Sequence, residues 1–137
     1  MGPVESSGFM GNRDMELSNP LLLSVKMFLA DVMSWRHEYK YPEHVCADFT
    51  QEVYDAASER GMRCGYAAIN FWASETSHAI VAFETDYGLV SIEPQNGEWV
   101  EIPIGKPYPA RLDGVPEQNN VRSVEISWND GTSTQIY

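Results

Sequence analysis

Ser77-His78-Ala79-Ile80-Val81-Ala82-Phe83-Glu84-Thr85, then Asp86-Tyr87-Gly88, then Leu89-Val90-Ser91-Ile92-Glu93-Pro94, is the stretch that decides the fold. Two strand-forming runs flank a short turn signal, and Pro94 stops the second run. Residues 77–93 therefore predict an antiparallel hairpin. Upstream, Arg63 to Trp72 is a largely apolar run and predicts another strand, with Ala73 to Thr76 as the connecting loop. Downstream, Trp99 to Ile102 predicts a short strand. Residues 103–120 hold four prolines and two adjacent asparagines and predict an irregular loop. Val121 to Trp128 and Thr132 to Tyr137 flank Asn129-Asp130-Gly131, a hairpin signal.

The chain before this run reads as helical. Asn19-Pro20 predicts a helix start, with Asn as cap and Pro at the first helical position. Leu21, Leu22, Val25, Phe28, Leu29, Val32 and Trp35 then recur at helical spacing along residues 20–36. A second helix is expected over residues 45–60, with Phe49, Val53 and Ala56 or Ala57 on its buried face and Gly61 as its stop. Helices first and antiparallel strands after them define an α+β fold, the helices packed on the sheet. The expected organisation is a flexible N-terminal arm over residues 1–14 and a single domain over residues 15–137.

Composition narrows the function classes. With 137 residues and 43% hydrophobic content the chain is large enough to bury a substantial core. Twenty acidic against nine basic residues give a net charge of −11. That balance disfavours binding to nucleic acid or to an anionic membrane, both of which require a cationic surface. No apolar run is long enough for a helical membrane span. Residues 1–14 lack the basic and apolar pattern of a signal peptide. Two cysteines, Cys46 and Cys64, do not make a disulfide scaffold. They favour a reducing compartment, the cytoplasm. His37, His44 and His78 lack metal-ligand spacing, and no cofactor motif is present.

Three residues carry chemistry. Cys46 lies in the first turn of its predicted helix, where backbone N–H groups and the helix dipole favour a thiolate. His78 begins a predicted strand. Glu93 ends the next strand, across the hairpin, where a carboxylate can reach the histidine's second nitrogen. Thiol, imidazole and carboxylate are the parts of a cysteine-nucleophile site: the thiolate attacks, the imidazole moves the proton, and the carboxylate orients the ring. The Cys46 backbone N–H is the natural first oxyanion donor. Trp35, Tyr41 and His44 are the candidates for a second donor or for the cleft.

Cys46-Ala47-Asp48-Phe49 entering a helix, Ser77 to Phe83 on a strand and Ile92-Glu93-Pro94 closing the next together resemble the transglutaminase-like superfamily, within the wider papain-like cysteine-nucleophile group. The likeness spans residues 41–108 and is strongest to small prokaryotic members. It implies a transglutaminase-like core, a Cys46–His78–Glu93 triad, and a peptide, protein, amide or thioester carbonyl as substrate. One departure stands out: Glu93 occupies the place where the family's usual residue is Asp.

Each residue also has a structural reading. A cysteine on an apolar helix is most often packing, and Cys64 is expected in the core. Asp48 is a first-turn acid that suits the helix dipole. His44 is expected in solvent or along the cleft, and Lys106 on the surface. Trp35, Trp72 and Trp99 are expected in the core or cleft wall, and Trp128 partly exposed. Two functional classes follow: a cysteine-dependent acyl-transfer or hydrolase enzyme, or a non-catalytic binding domain on the same scaffold. A redox thiol, resolved by Cys64, is a weaker third.

Overall fold

The computed structural model describes residues 16–35, 46–72, 74–108 and 120–137, with the backbone alone at 33–35, 46 and 74–76. The elements are α1 (Leu22–Trp35), α2 (Cys46–Glu59), β1 (Gly65–Phe71), β2 (Ser74–Thr85), β3 (Gly88–Glu93), β4 (Glu98–Val100), β5 (Val121–Trp128) and β6 (Ser133–Ile136). All six strands join one antiparallel sheet in the order β4-β3-β2-β1-β5-β6. The protein is α+β, with both helices preceding the sheet. The expected arm, residues 1–14, lies outside the described residues.

Alternation along the strands divides the core between two faces. On one, Val81, Phe83, Ile92 and Cys64 pack against Val25, Phe28, Leu29 and Val32 of α1 and Val53, Ala56 and Ala57 of α2. On the other, Ala67, Ile69, Phe71, Ile80, Ala82, Val124, Ile126 and Trp128 gather with Tyr108. Strand β2 is thus covered on both sides. That is why its Ile80-Val81-Ala82-Phe83 run is apolar at every position and fully buried. Among the described residues no helix lies on the second face; Ile102 and Ile104, from the segment after β4, pack there.

Several expectations are corrected. Asn19 does not cap α1. The helix begins at Leu22, whose N–H donates to Asp86 Oδ1 at 2.7 Å, so the cap comes from the β2–β3 turn. Asn19 Oδ1 instead accepts from Arg63 at 3.2 Å. Ser74 to Thr76 belong to β2 rather than to a loop, because Ser74 pairs with Phe71 of β1. Trp72 and Trp99 are 68% and 42% exposed, outside the core.

Trp128 is buried rather than partly exposed. Its indole N–H donates to Thr134 Oγ1 at 2.9 Å, and the Arg63 guanidinium lies 4.1 Å from its ring centre. Beneath it sits Gly65, where an added Cβ would lie 2.3 Å from Ile126 Cγ2 and 3.1 Å from Trp128 Cε3. The glycine makes the room that Trp128 fills. Gly65→Ala is therefore expected to destabilise the fold by about 1–3 kcal/mol, the usual cost of overpacking. A urea-unfolding midpoint equal to that of the wild type would refute this account of Trp128.

The β5–β6 hairpin closes through the expected Asn129-Asp130-Gly131 turn, with Gly131 at φ 91°. Asn129 ties it to the helical side: its Oδ1 accepts from Cys64 N at 2.9 Å and its Nδ2 donates to Met62 O at 2.9 Å. Hydrogen bonds from Thr132, then the bond from Arg63, lower the Asp130 carboxyl to about 2.

Candidate active site

The end of the sheet where β2 begins and β3 ends holds a buried polar group amid apolar packing. His78 and Glu93 are both fully buried. The imidazole Nε2 lies 3.0 Å from Glu93 Oε1 and 2.9 Å from Oε2. The carboxylate is acceptor-only, so Nε2 carries the hydrogen and donates it. The sheet register explains how the two meet. Val81 pairs with Ile92, and continuing that register sets Glu93 opposite Ile80. His78 is two residues further along β2, on the same face as Ile80. His78 and Glu93 are thus diagonal neighbours, a separation that only longer side chains bridge. The extra methylene of Glu, relative to Asp, suits this diagonal.

Tyr108 completes the group. Its hydroxyl donates to Glu93 Oε2 at 3.1 Å, and its ring meets the His78 ring edge to face, centroids 5.4 Å apart at 64°. Tyr108 is 3% exposed. No local periodicity marks it: it sits in the proline-rich segment, and its partner is fifteen residues away.

Helix α2 packs on the opposite face of the sheet, against Val81 and Phe83, and is tied to β2 one residue from His78. Past the end of the β2–β3 ladder, the buried Thr50 hydroxyl donates to the Ala79 carbonyl at 3.0 Å. Ala79 is the residue next to His78. Thr50 lies one helical turn beyond Cys46, about 6 Å along the axis. Cys46 is the first residue of α2; its side chain lies outside the described residues. The same holds for the Trp35 side chain, at the end of α1, and Tyr41 and His44 lie wholly outside them. His78 is not the first residue of its strand but the fifth, after Ser74-Glu75-Thr76-Ser77. Asp48 is exposed in the first turn of α2, and Lys106 is exposed.

No protein-family model matches the chain, and no curated protein matches it. Its chemistry is read from these residues alone.

Cys64, the other thiol, is fully buried, and burial pushes its thiol far up from the ordinary value. It packs under the helices as a small apolar residue. Among the described residues no cluster of His, Cys, Asp and Glu forms a metal-binding group. Nor is any helix among them long and apolar enough to cross a membrane.

Proposed function

We propose that the chain is a cysteine-nucleophile domain with a transglutaminase-like core, acting by acyl transfer or hydrolysis on a peptide, amide or thioester carbonyl. In this reading the Cys46 thiolate attacks the carbonyl carbon. With Nε2 engaged by Glu93, the imidazole works through Nδ1, which takes the thiol proton and returns it to the leaving group. The Cys46 N–H, at the N-terminus of α2, donates to the oxyanion. The acyl group then passes to water or to an amine.

The observation that carries the reading is the His78–Glu93 hydrogen bond, fully buried at the end of the sheet that Thr50 ties to α2. Burying a carboxylate and an imidazole together is costly compared with apolar residues of the same volume. Two core positions have been given to polar groups, and their order in the chain after Cys46 is the one that supports the reading.

The test is the pH dependence of Cys46 alkylation by iodoacetamide, read by peptide mass spectrometry, with the buried Cys64 as the slow reference. Cys46 is expected to react well below the model thiol value of about 8.5, and to lose that reactivity in His78→Gln. Glutamine removes the base while an amide N–H can still serve Glu93. An ordinary thiol profile at Cys46 would reject the nucleophile reading in favour of a binding domain on the same scaffold.

A further inference from the structure

We propose that Tyr108 is a positioning residue of the His78–Glu93 pair, its hydroxyl fixing the rotation of the Glu93 carboxylate that keeps His78 in one tautomer; the functional meaning of this rests on the acyl-transfer reading. The last torsion of a glutamate side chain is broad, without sharply staggered wells. A carboxylate held by one histidine nitrogen alone retains that freedom. In this protein the oxygen that lies 2.9 Å from His78 Nε2 also accepts the Tyr108 O–H at 3.1 Å. The edge-to-face ring contact holds the imidazole from a second direction. Tyr108 therefore touches both partners, fixing the carboxylate through its hydroxyl and the imidazole through its ring.

The tyrosine is itself anchored. Gly105 N donates to Val121 O at 2.8 Å and Val121 N to Lys106 O at 2.9 Å, which clamps the segment to the first residue of β5. Gly105 adopts φ 83°, a left-handed conformation that suits glycine, and turns the chain there. Pro107 bridges to Asn120 and restricts the backbone immediately before Tyr108. The ring then packs into the same cluster as Ile80 and Val121. A path of direct contacts runs from β5 through this turn to Tyr108, Glu93 and His78.

The consequence is a definite proton arrangement. With the carboxylate fixed, Nε2 keeps the proton in the neutral ring, and Nδ1 is the basic atom. Without the phenol the carboxylate is freer to rotate, and the preference for the Nε2–H tautomer weakens.

The test uses the full chain with 15N-labelled histidine, comparing wild type with Tyr108→Phe. Phenylalanine keeps the ring contact and removes only the hydroxyl, so a purely packing role predicts no change. With the ring neutral, the wild type is expected to show His78 as the Nε2–H tautomer. In Tyr108→Phe the two ring nitrogen shifts are expected to move toward each other. Cys46 alkylation at neutral pH is expected to slow about fivefold, the size of one net hydrogen bond. Unchanged nitrogen shifts in Tyr108→Phe would overturn the proposal, whatever the thiol does. Relaxed shifts in a protein whose wild-type Cys46 is an ordinary thiol would sustain the positioning role and reject the acyl-transfer reading separately. Should the phenylalanine variant fail to fold, 3-fluorotyrosine at position 108 gives the opposite test. It is a stronger donor of nearly the same shape, expected to strengthen the tautomer preference, and the proposal fails if the preference is unmoved.

Discussion

Replacing His78 by alanine is expected to lower the free energy of unfolding by about 3–5 kcal/mol, because it strands a buried carboxylate. Both side chains have no exposed surface. In the native protein Glu93 accepts from His78 and Tyr108; after the replacement only the tyrosine is left of these two donors. A deeper cut is expected to do less damage. In the double variant His78→Leu, Glu93→Leu, both polar groups are gone and apolar volume takes their place, so the loss should be smaller than for His78→Ala alone. Urea unfolding of the three proteins checks the order. A double variant less stable than His78→Ala would mean that packing, and not the stranded carboxylate, sets the cost.

That buried pair also shows how far the sequence could be read. The β2–β3 hairpin was legible because each strand carries its own pattern, the turn residues Asp86 to Gly88 lie between them, and Pro94 closes the second. From the hairpin it followed that positions 78 and 93 lie on neighbouring strands. The diagonal offset was not legible, since it depends on where the ladder begins, at Thr85 paired with Gly88. Only that offset gives a reason for glutamate at 93. Glutamate, where the superfamily this segment resembles usually has aspartate, suits this register.

The misreadings share a cause: each involves a partner distant in the chain. Asn19-Pro20 has the local form of a helix start, yet α1 takes its cap from Asp86, sixty-four residues from Leu22. Ser74 to Thr76 have no strand pattern of their own and are drawn into β2 by β1. Trp128 beside a turn reads as exposed until Gly65, on a different strand, is found to leave space for its ring. Tyr108 stands among prolines, where neither period 2 nor period 3.6 marks a buried position. Thr50 looks like an ordinary helical threonine, and its bond to Ala79 spans twenty-nine residues. Local pattern revealed the elements; the contacts that assemble the site are all between elements.

Offered an activated thioester, the full chain is expected to form an acyl-enzyme at Cys46, and the variants are expected to fall in a fixed order. Cys46→Ala removes the nucleophile and should reduce turnover on the order of 10³-fold or more. Glu93→Gln keeps length and a hydrogen-bond acceptor for Nε2 but loses the charge that favours the imidazolium. Its cost should be about 10²-fold, the lower end of what positioned acid–base catalysis contributes. Glu93→Asp restores the charge but withdraws it by one methylene from a diagonal that glutamate spans at 2.9 Å. It should therefore fall with Glu93→Gln and not with the wild type. Tyr108→Phe should be the mildest, having lost one hydrogen bond to the carboxylate. Steady-state thioester hydrolysis, with intact-mass detection of the acyl adduct, measures all four. Wild-type turnover by Cys46→Ala would end the mechanism. Full activity in Glu93→Asp would show that the carboxylate's reach is not what places the histidine.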